Sequence, residues 1–137
     1  AEALAKRMKM SLLEKEGDGV VLAVLLRETG ELVGDVNLHW LSEEHQQGEL
    51  GFVFNPAYQG HGYAREAATE MLRLGFEGLG LHRIIGRCDG RNEASARLMA
   101  KLGMRREAHF VENEIVKGEW TDELVFAMLA PEWTATH

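Results

Sequence analysis

The apolar positions of this chain change period several times, and each change predicts an element. Leu4, Met8, Leu12 and Leu13 fall on one helical face within residues 1 to 16, a segment closed by Gly17, so a first helix is expected there. Val20 to Arg27 is a β-branched and leucine-rich run, Thr29 and Gly30 supply a turn, and Glu31 to Leu41 alternates. Together these predict a hairpin. In its second strand Leu32, Val36, Leu38 and Trp40 share one face, expected to be core, while Asp35, Asn37 and His39 share the other. That polar face is either ordinary solvated strand or a surface that meets substrate.

A polar loop from Ser42 to Gln47 leads to a third strand, Glu49 to Phe54, which stops at Asn55 and Pro56 because proline cannot continue the ladder. From Gly62 the period turns helical: Ala64, Ala67, Ala68, Met71, Leu72 and Gly75 line up, and Gly78 and Gly80 end a helix of about four turns. His82 to Cys88 returns to a strand, Asp89 and Gly90 turn, and Asn92 opens a second helix that carries Leu98, Met99 and Leu102 and closes at Gly103. Met104 to Phe110 and Glu123 to Leu129 read as closing strands around a polar stretch, Glu112 to Glu119. Antiparallel strands followed by a strand, helix, strand crossover place two parallel strands inside a mixed sheet flanked by helices. The fold class is α/β, or α+β by stricter accounting.

Composition narrows the function without naming it. At 137 residues the chain is one domain, 1 to 137, and 45% hydrophobic with 27% charged residues is a globular profile. The longest apolar run, Val20 to Leu26, is far below the roughly 20 residues of a membrane span, and the first residues lack the order of a signal peptide. A cytoplasmic protein without a membrane partner is expected. The single cysteine, Cys88, allows no internal disulfide and fits a small buried strand residue. A net charge of −7 argues against nucleic acid, whose binding depends on neutralising phosphates, and favours a cationic partner.

The chemistry concentrates where the third strand gives way to the long helix, at Gln59-Gly60-His61-Gly62-Tyr63-Ala64. Paired glycines let main-chain N–H groups approach a ligand, and a helix start offers unpaired donors with a dipole that favours anions, so a pyrophosphate is the natural guest. The competing reading is a tight turn with no ligand. A P-loop is excluded because the segment has no lysine, and a dinucleotide fingerprint fails because Arg65 stands at its sixth position and hairpins precede it. Arg65 in the first helical turn is disfavoured by the dipole unless an anion lies nearby.

Gln59, Gly62 and Ala64 fill the three defining slots of the Q/R-x-x-G-x-G/A signature, and the segment resembles the GNAT N-acetyltransferases. The likeness extends to Glu49-Leu50-Gly51-Phe52, to Leu79-Gly80-Leu81-His82-Arg83-Ile84, to Asn92-Glu93-Ala94-Ser95 with Lys101-Leu102-Gly103-Met104, and to Gly118-Glu119-Trp120-Thr121-Asp122. It covers about residues 19 to 130 and is strongest to the ribosomal-protein alanine acetyltransferases, the RimJ/RimL-like branch. The resemblance implies the acyl-CoA N-acyltransferase fold, here short at its N-terminus by the strand and helix that open the family's domain.

The same resemblance implies roles. Gln59, Gly60, His61, Gly62, Tyr63, Ala64 and Arg65 hold the CoA pyrophosphate, Phe52, Val53 and Phe54 form a splayed strand that pairs with the pantetheine arm and polarises the thioester, and Asn92 contacts CoA. Glu49 is the candidate base, since an attacking amine must lose a proton; its competing reading is an exposed strand carboxylate. The family's usual tyrosine acid falls at Met99, which leaves Ser95 as the candidate acid. Asn92 capping the helix, with Ser95 in its first turn, explains both residues equally well. The implied enzyme is an acetyl-CoA-dependent N-acetyltransferase acting on an amine acceptor such as a protein N-terminus or small amine, by direct attack in a ternary complex and without a metal. A non-catalytic acyl-CoA sensor or interaction module is the alternative. Exposed sheet edges and Trp120 or Trp133 at an interface point to a homodimer, although local packing accounts for the two tryptophans equally well.

Overall fold

In the computed structural model the described residues are 4–10, as backbone, together with 16–58, 60 and 62–137. They form one seven-stranded sheet from β1 (Leu4–Met10), β2 (Gly19–Leu26), β3 (Leu32–Ser42), β4 (Gln47–Phe54), β5 (Arg83–Asp89), β6 (Arg105–Val116) and β7 (Glu119–Leu129). The spatial order is β1-β2-β3-β4-β5-β7-β6. Every neighbouring pair is antiparallel except β4 and β5, which run parallel because α1 (Tyr63–Arg73) carries the chain back between them. The mixed, mostly antiparallel sheet expected from the hydrophobic pattern is therefore present.

One face of the sheet carries the core. Leu38, Leu50, Ile84 and Met128 are buried there with Ala67, Ala68, Met71 and Leu72 of α1, Met99 of α2 (Glu93–Lys101) and Trp133 of α3 (Ala130–Thr136). Each of the leucine, isoleucine and methionine side chains contributes about 1.5–3 kcal/mol by leaving water. Close approach matters at Gly86, where a Cβ would come within 2.5 Å of Met99 Sδ, so the bare backbone of β5 is what lets α2 settle on the sheet.

Three expectations are corrected and one element is added. Residues 4–10 form an edge strand paired to β2, not part of a helix over 1 to 16; positions 1–3 and 11–15 lie outside the described residues. Leu4, Met8 and Leu12 are spaced by four, a multiple of two as well as near a helical turn, and the open edge of β2 decides between the periods. Leu32 is 58% exposed while Val33 is buried, because the β2–β3 register skips Val33 and turns it inward. The polar stretch Glu112 to Glu119, expected between the two closing strands, belongs to them: β6 and β7 run through it to a tight turn at Lys117 and Gly118, both at positive φ. Finally α3 follows β7, its first turn held by Glu132 Oε1 accepting from the Leu129 N–H at 2.8 Å.

Candidate active site

β4 and β5 part company midway. Their pairing runs from Gln47–Arg83 to Leu50–Gly86 and stops, while β4 stays bonded to β3 through Phe54 and β5 to β7 through Asp89. Gln46 O accepts from the N–H of His82 at 2.8 Å, and Asn55 N–H donates to Val33 O at 2.8 Å. Ladder alternation then aims the main-chain groups of even-numbered β4 residues at β5. Phe52 and Phe54 thus present N–H and C=O groups to a fork where β5 no longer receives them.

The fork opens on the helical side into a cleft of about 560 Å³. Its walls include Phe52, Val53 and Phe54 from β4, Gly60, Gly62, Tyr63, Ala64 and Arg65 from the loop and start of α1, and Asn92 and Ser95 from the start of α2. Gly62 caps α1 at φ 79, with no side-chain cap among the described residues, and Gly60 has φ 86. A Cβ on either would meet nothing within 4 Å, so the glycines serve backbone conformation and leave the space above the helix start open. The first N–H groups of an α-helix have no acceptor within the helix itself, and the start of α1 borders the cleft, an end whose dipole favours an anion. Gln59 and His61 lie outside the described residues.

The cleft's charge opposes that of the chain. Arg65, Arg97 and Lys101 line it, and no carboxylate does among the described residues, in a protein of net charge −7. Arg97 and Lys101 lie four apart on α2 and face the cleft together. The apolar positions of that helix do not reveal either residue; the cationic repeat at helical spacing is the signal that does. Tyr58, Ala94 and Leu98 complete the walls.

Asn92 performs the capping job: its Oδ1 accepts from the Ser95 N–H at 3.0 Å. Both side chains reach the cleft wall as well. Met99 is buried against β5 and lines no part of the cleft. Glu49 lies on the other face of the sheet, since it alternates with buried Leu50. There Arg87 donates from Nε and Nη2 to its two carboxylate oxygens, each at 3.0 Å, and this hydrogen-bonded pairing raises the Arg87 pKa above its usual value. Arg87 is not legible in the sequence as a partner of Glu49, because register alone brings the two together. The fork thus separates a cationic cleft on one face from a held carboxylate on the other.

Comparison with known proteins accords with this geometry. Residues 1–105 match the family model described as Acetyltransferase (GNAT) domain. The chain is 47% identical over 111 residues to YnaD of Bacillus subtilis (strain 168), named as an uncharacterized N-acetyltransferase, covering 80% of this chain and 64% of that protein. It is 31% identical over 85 residues to the [ribosomal protein uS5]-alanine N-acetyltransferase of Escherichia coli (strain K12), covering 62% of this chain and 44% of that protein. A crystal structure of a GNAT-family acetyltransferase from Bacillus anthracis superposes with a TM-score of 0.74 at 42% identity, over 81% of this chain and 66% of that one. The chain thus spans about two thirds of YnaD and less than half of the alanine acetyltransferase, so the likeness to the latter's branch is partial. Fold, fork and family model agree, and the chain belongs to the GNAT acetyltransferase domain family.

Proposed function

We propose that this protein transfers an acetyl group from acetyl-CoA to a primary amine, a protein N-terminus or small amine, within a ternary complex. The observation that carries the reading is the cleft that joins three cations and the glycine-capped start of α1 to the open backbone of Phe52 and Phe54. CoA requires that sequence of chemistry: phosphate oxygens for Gly60 to Arg65 and for Arg97 and Lys101, then amide-bearing pantetheine for the strand edge. The residues present therefore fit acetyl-CoA as cosubstrate.

In the reaction the amine nitrogen bonds to the thioester carbonyl carbon as the carbon–sulfur bond breaks, releasing an amide and CoA. A β4 N–H at the fork stabilises charge on the carbonyl oxygen, Glu49 takes the amine proton directly or through water and releases it to solvent, and the Ser95 hydroxyl supplies a proton to the departing sulfur and regains one from water. The carboxylate side of the fork suits a cationic acceptor. Exposed Phe110, Val111, Ile115 and Trp120 on the β6–β7 hairpin support association of two copies there, while Trp133 is buried and serves local packing.

One observation favours a second reading, a non-catalytic acyl-CoA sensor: both oxygens of Glu49 are already engaged by Arg87. Calorimetric titration with acetyl-CoA, repeated on Gly62→Trp, tests cofactor binding. Micromolar affinity lost in the variant supports the cleft assignment, and no binding by folded wild type overturns it. Acceptor-dependent thiol release then separates enzyme from sensor.

A further inference from the structure

Asn37 stands out on the face that the described helices do not cover. It occupies the middle of β3, an interior strand, where asparagine is intrinsically disfavoured and packs poorly. Val36 and Leu38 on either side of it are buried under the helices, so Asn37 points to the face of Glu49 and Arg87. Its register partner is Gly51, the first β4 residue beyond the last β4–β5 pair.

The carboxamide lies flat over that glycine. A Cβ built on Gly51 would come 2.7 Å from Asn37 Oδ1 and 3.0 Å from Nδ2, so the absent side chain is what admits the amide. His39, its neighbour on the same face, leans the opposite way over Gly19, where a Cβ would be 3.1 Å from the ring. Of the two polar groups, only Asn37 is laid towards the fork. It is half-buried, and no described residue exchanges a hydrogen bond with its side chain. A carboxamide held beside the fork, half open to solvent and with no hydrogen-bond partner among the described residues, can turn its donors and acceptor to a ligand. Glu49, two residues before Gly51 on the same strand face, is fixed by Arg87 and unable to turn towards Asn37 without losing that pair.

We propose that Asn37 is an acceptor-binding residue, its Oδ1 accepting a hydrogen bond from the attacking amine as that amine enters the fork from the face opposite the cleft. The inference rests on the acetyltransferase reading and adds the residue that orients the acceptor. Orientation here is worth having because a correctly aimed nitrogen is already near its attack geometry.

Two variants test it by different routes. Asn37→Leu deletes the amide, and Gly51→Ala pushes it aside while leaving it in the chain; the atoms displaced in the second case are the end of a flexible side chain, so folding tolerates the change. Acetyl-CoA affinity is measured by calorimetry, and transfer is measured with spermidine and with a peptide bearing an N-terminal alanine. Both variants are expected to bind acetyl-CoA within twofold of wild type while acceptor kcat/KM falls about tenfold or more, chiefly through KM. Unchanged acceptor kinetics in both variants, with transfer intact, overturns the role of Asn37 alone. Wild type that binds acetyl-CoA yet acetylates neither amine overturns the inference, whereas failure of wild type to bind acetyl-CoA overturns the acetyltransferase reading beneath it.

Discussion

Arg87 holds Glu49 from the first β5 residue beyond the point where β4 and β5 part, with both contacts at 3.0 Å. The Arg87 side chain is 50% exposed and that of Glu49 21%. A pair so open to solvent is worth about 0.2–1 kcal/mol to folding, too little to explain its geometry as a strut. Its consequence is positional: the carboxylate stays at the fork with a fixed orientation. Glu49→Gln is therefore expected to lower kcat by about 100-fold or more if Glu49 is the base, while acetyl-CoA affinity stays within twofold because Glu49 does not line the cleft. Steady-state kinetics beside calorimetry decide it, and an unchanged kcat would reduce the pair to architecture.

The cationic pair on α2 yields a second expectation. Arg97→Gln and Lys101→Gln each remove a charge from the cleft wall and should weaken acetyl-CoA binding about tenfold, the loss of one charge-assisted contact. The dependence of affinity on salt should flatten with each substitution. S-acetylpantetheine, which has no phosphate, provides the control: wild type and both variants should bind it equally, and a difference there would mean that the helix itself has moved.

Much of the cleft's local framework is legible in the sequence because its parts are set by near neighbours. Gly60 and Gly62 announce a turn into a helix, and Asn92 announces a helix start, since each conformation is set within a few residues. What escaped depends on contacts distant in sequence. Arg87 meets Glu49 across strands separated by α1, and only register brings them together. Val33 replaces Leu32 in the core through a slip in pairing that alternation alone cannot anticipate. The first strand was misread because a spacing of four serves two periods, and the long β6–β7 hairpin because β6 is exposed along nearly its whole length and so carries no apolar alternation. That hairpin is shaped instead by Asp122, whose carboxylate accepts from the Glu112 N–H at 2.8 Å and lies 2.7 Å from His109 Nε2. The Glu112 N–H first and His109 second hold the Asp122 carboxyl below its ordinary range.

Trp133 anchors α3 to the rest of the fold. It is 2% exposed, stacks on Phe76 at 5.7 Å between ring centroids, and donates from Nε1 to Glu77 at 2.7 Å. Trp133→Ala should cost about 3–5 kcal/mol, as expected for truncating a buried aromatic, and lower Tm by about 10 °C or more. Thermal unfolding followed by far-ultraviolet circular dichroism measures it. A loss below about 1 kcal/mol would mean that α3 docks without the ring.

Cys88 provides the last test, of electrostatics at the fork's far side. It pairs in register with Leu124, is partly exposed, and has its thiol pushed above the ordinary cysteine value, first by burial and then by the carboxylates of Asp89 and Glu123. Only the thiolate attacks a disulfide reagent, so a raised pKa leaves less reactive sulfur at a given pH. At pH 8 the native protein should therefore react with an aromatic disulfide about tenfold or more slowly than the chain unfolded in guanidinium, burial adding to the electrostatic effect. The sign extends to the pH profile: the native rate should still be climbing at pH values where the unfolded thiol has reached its plateau. Coincident profiles would show that neither burial nor the two carboxylates reaches the sulfur.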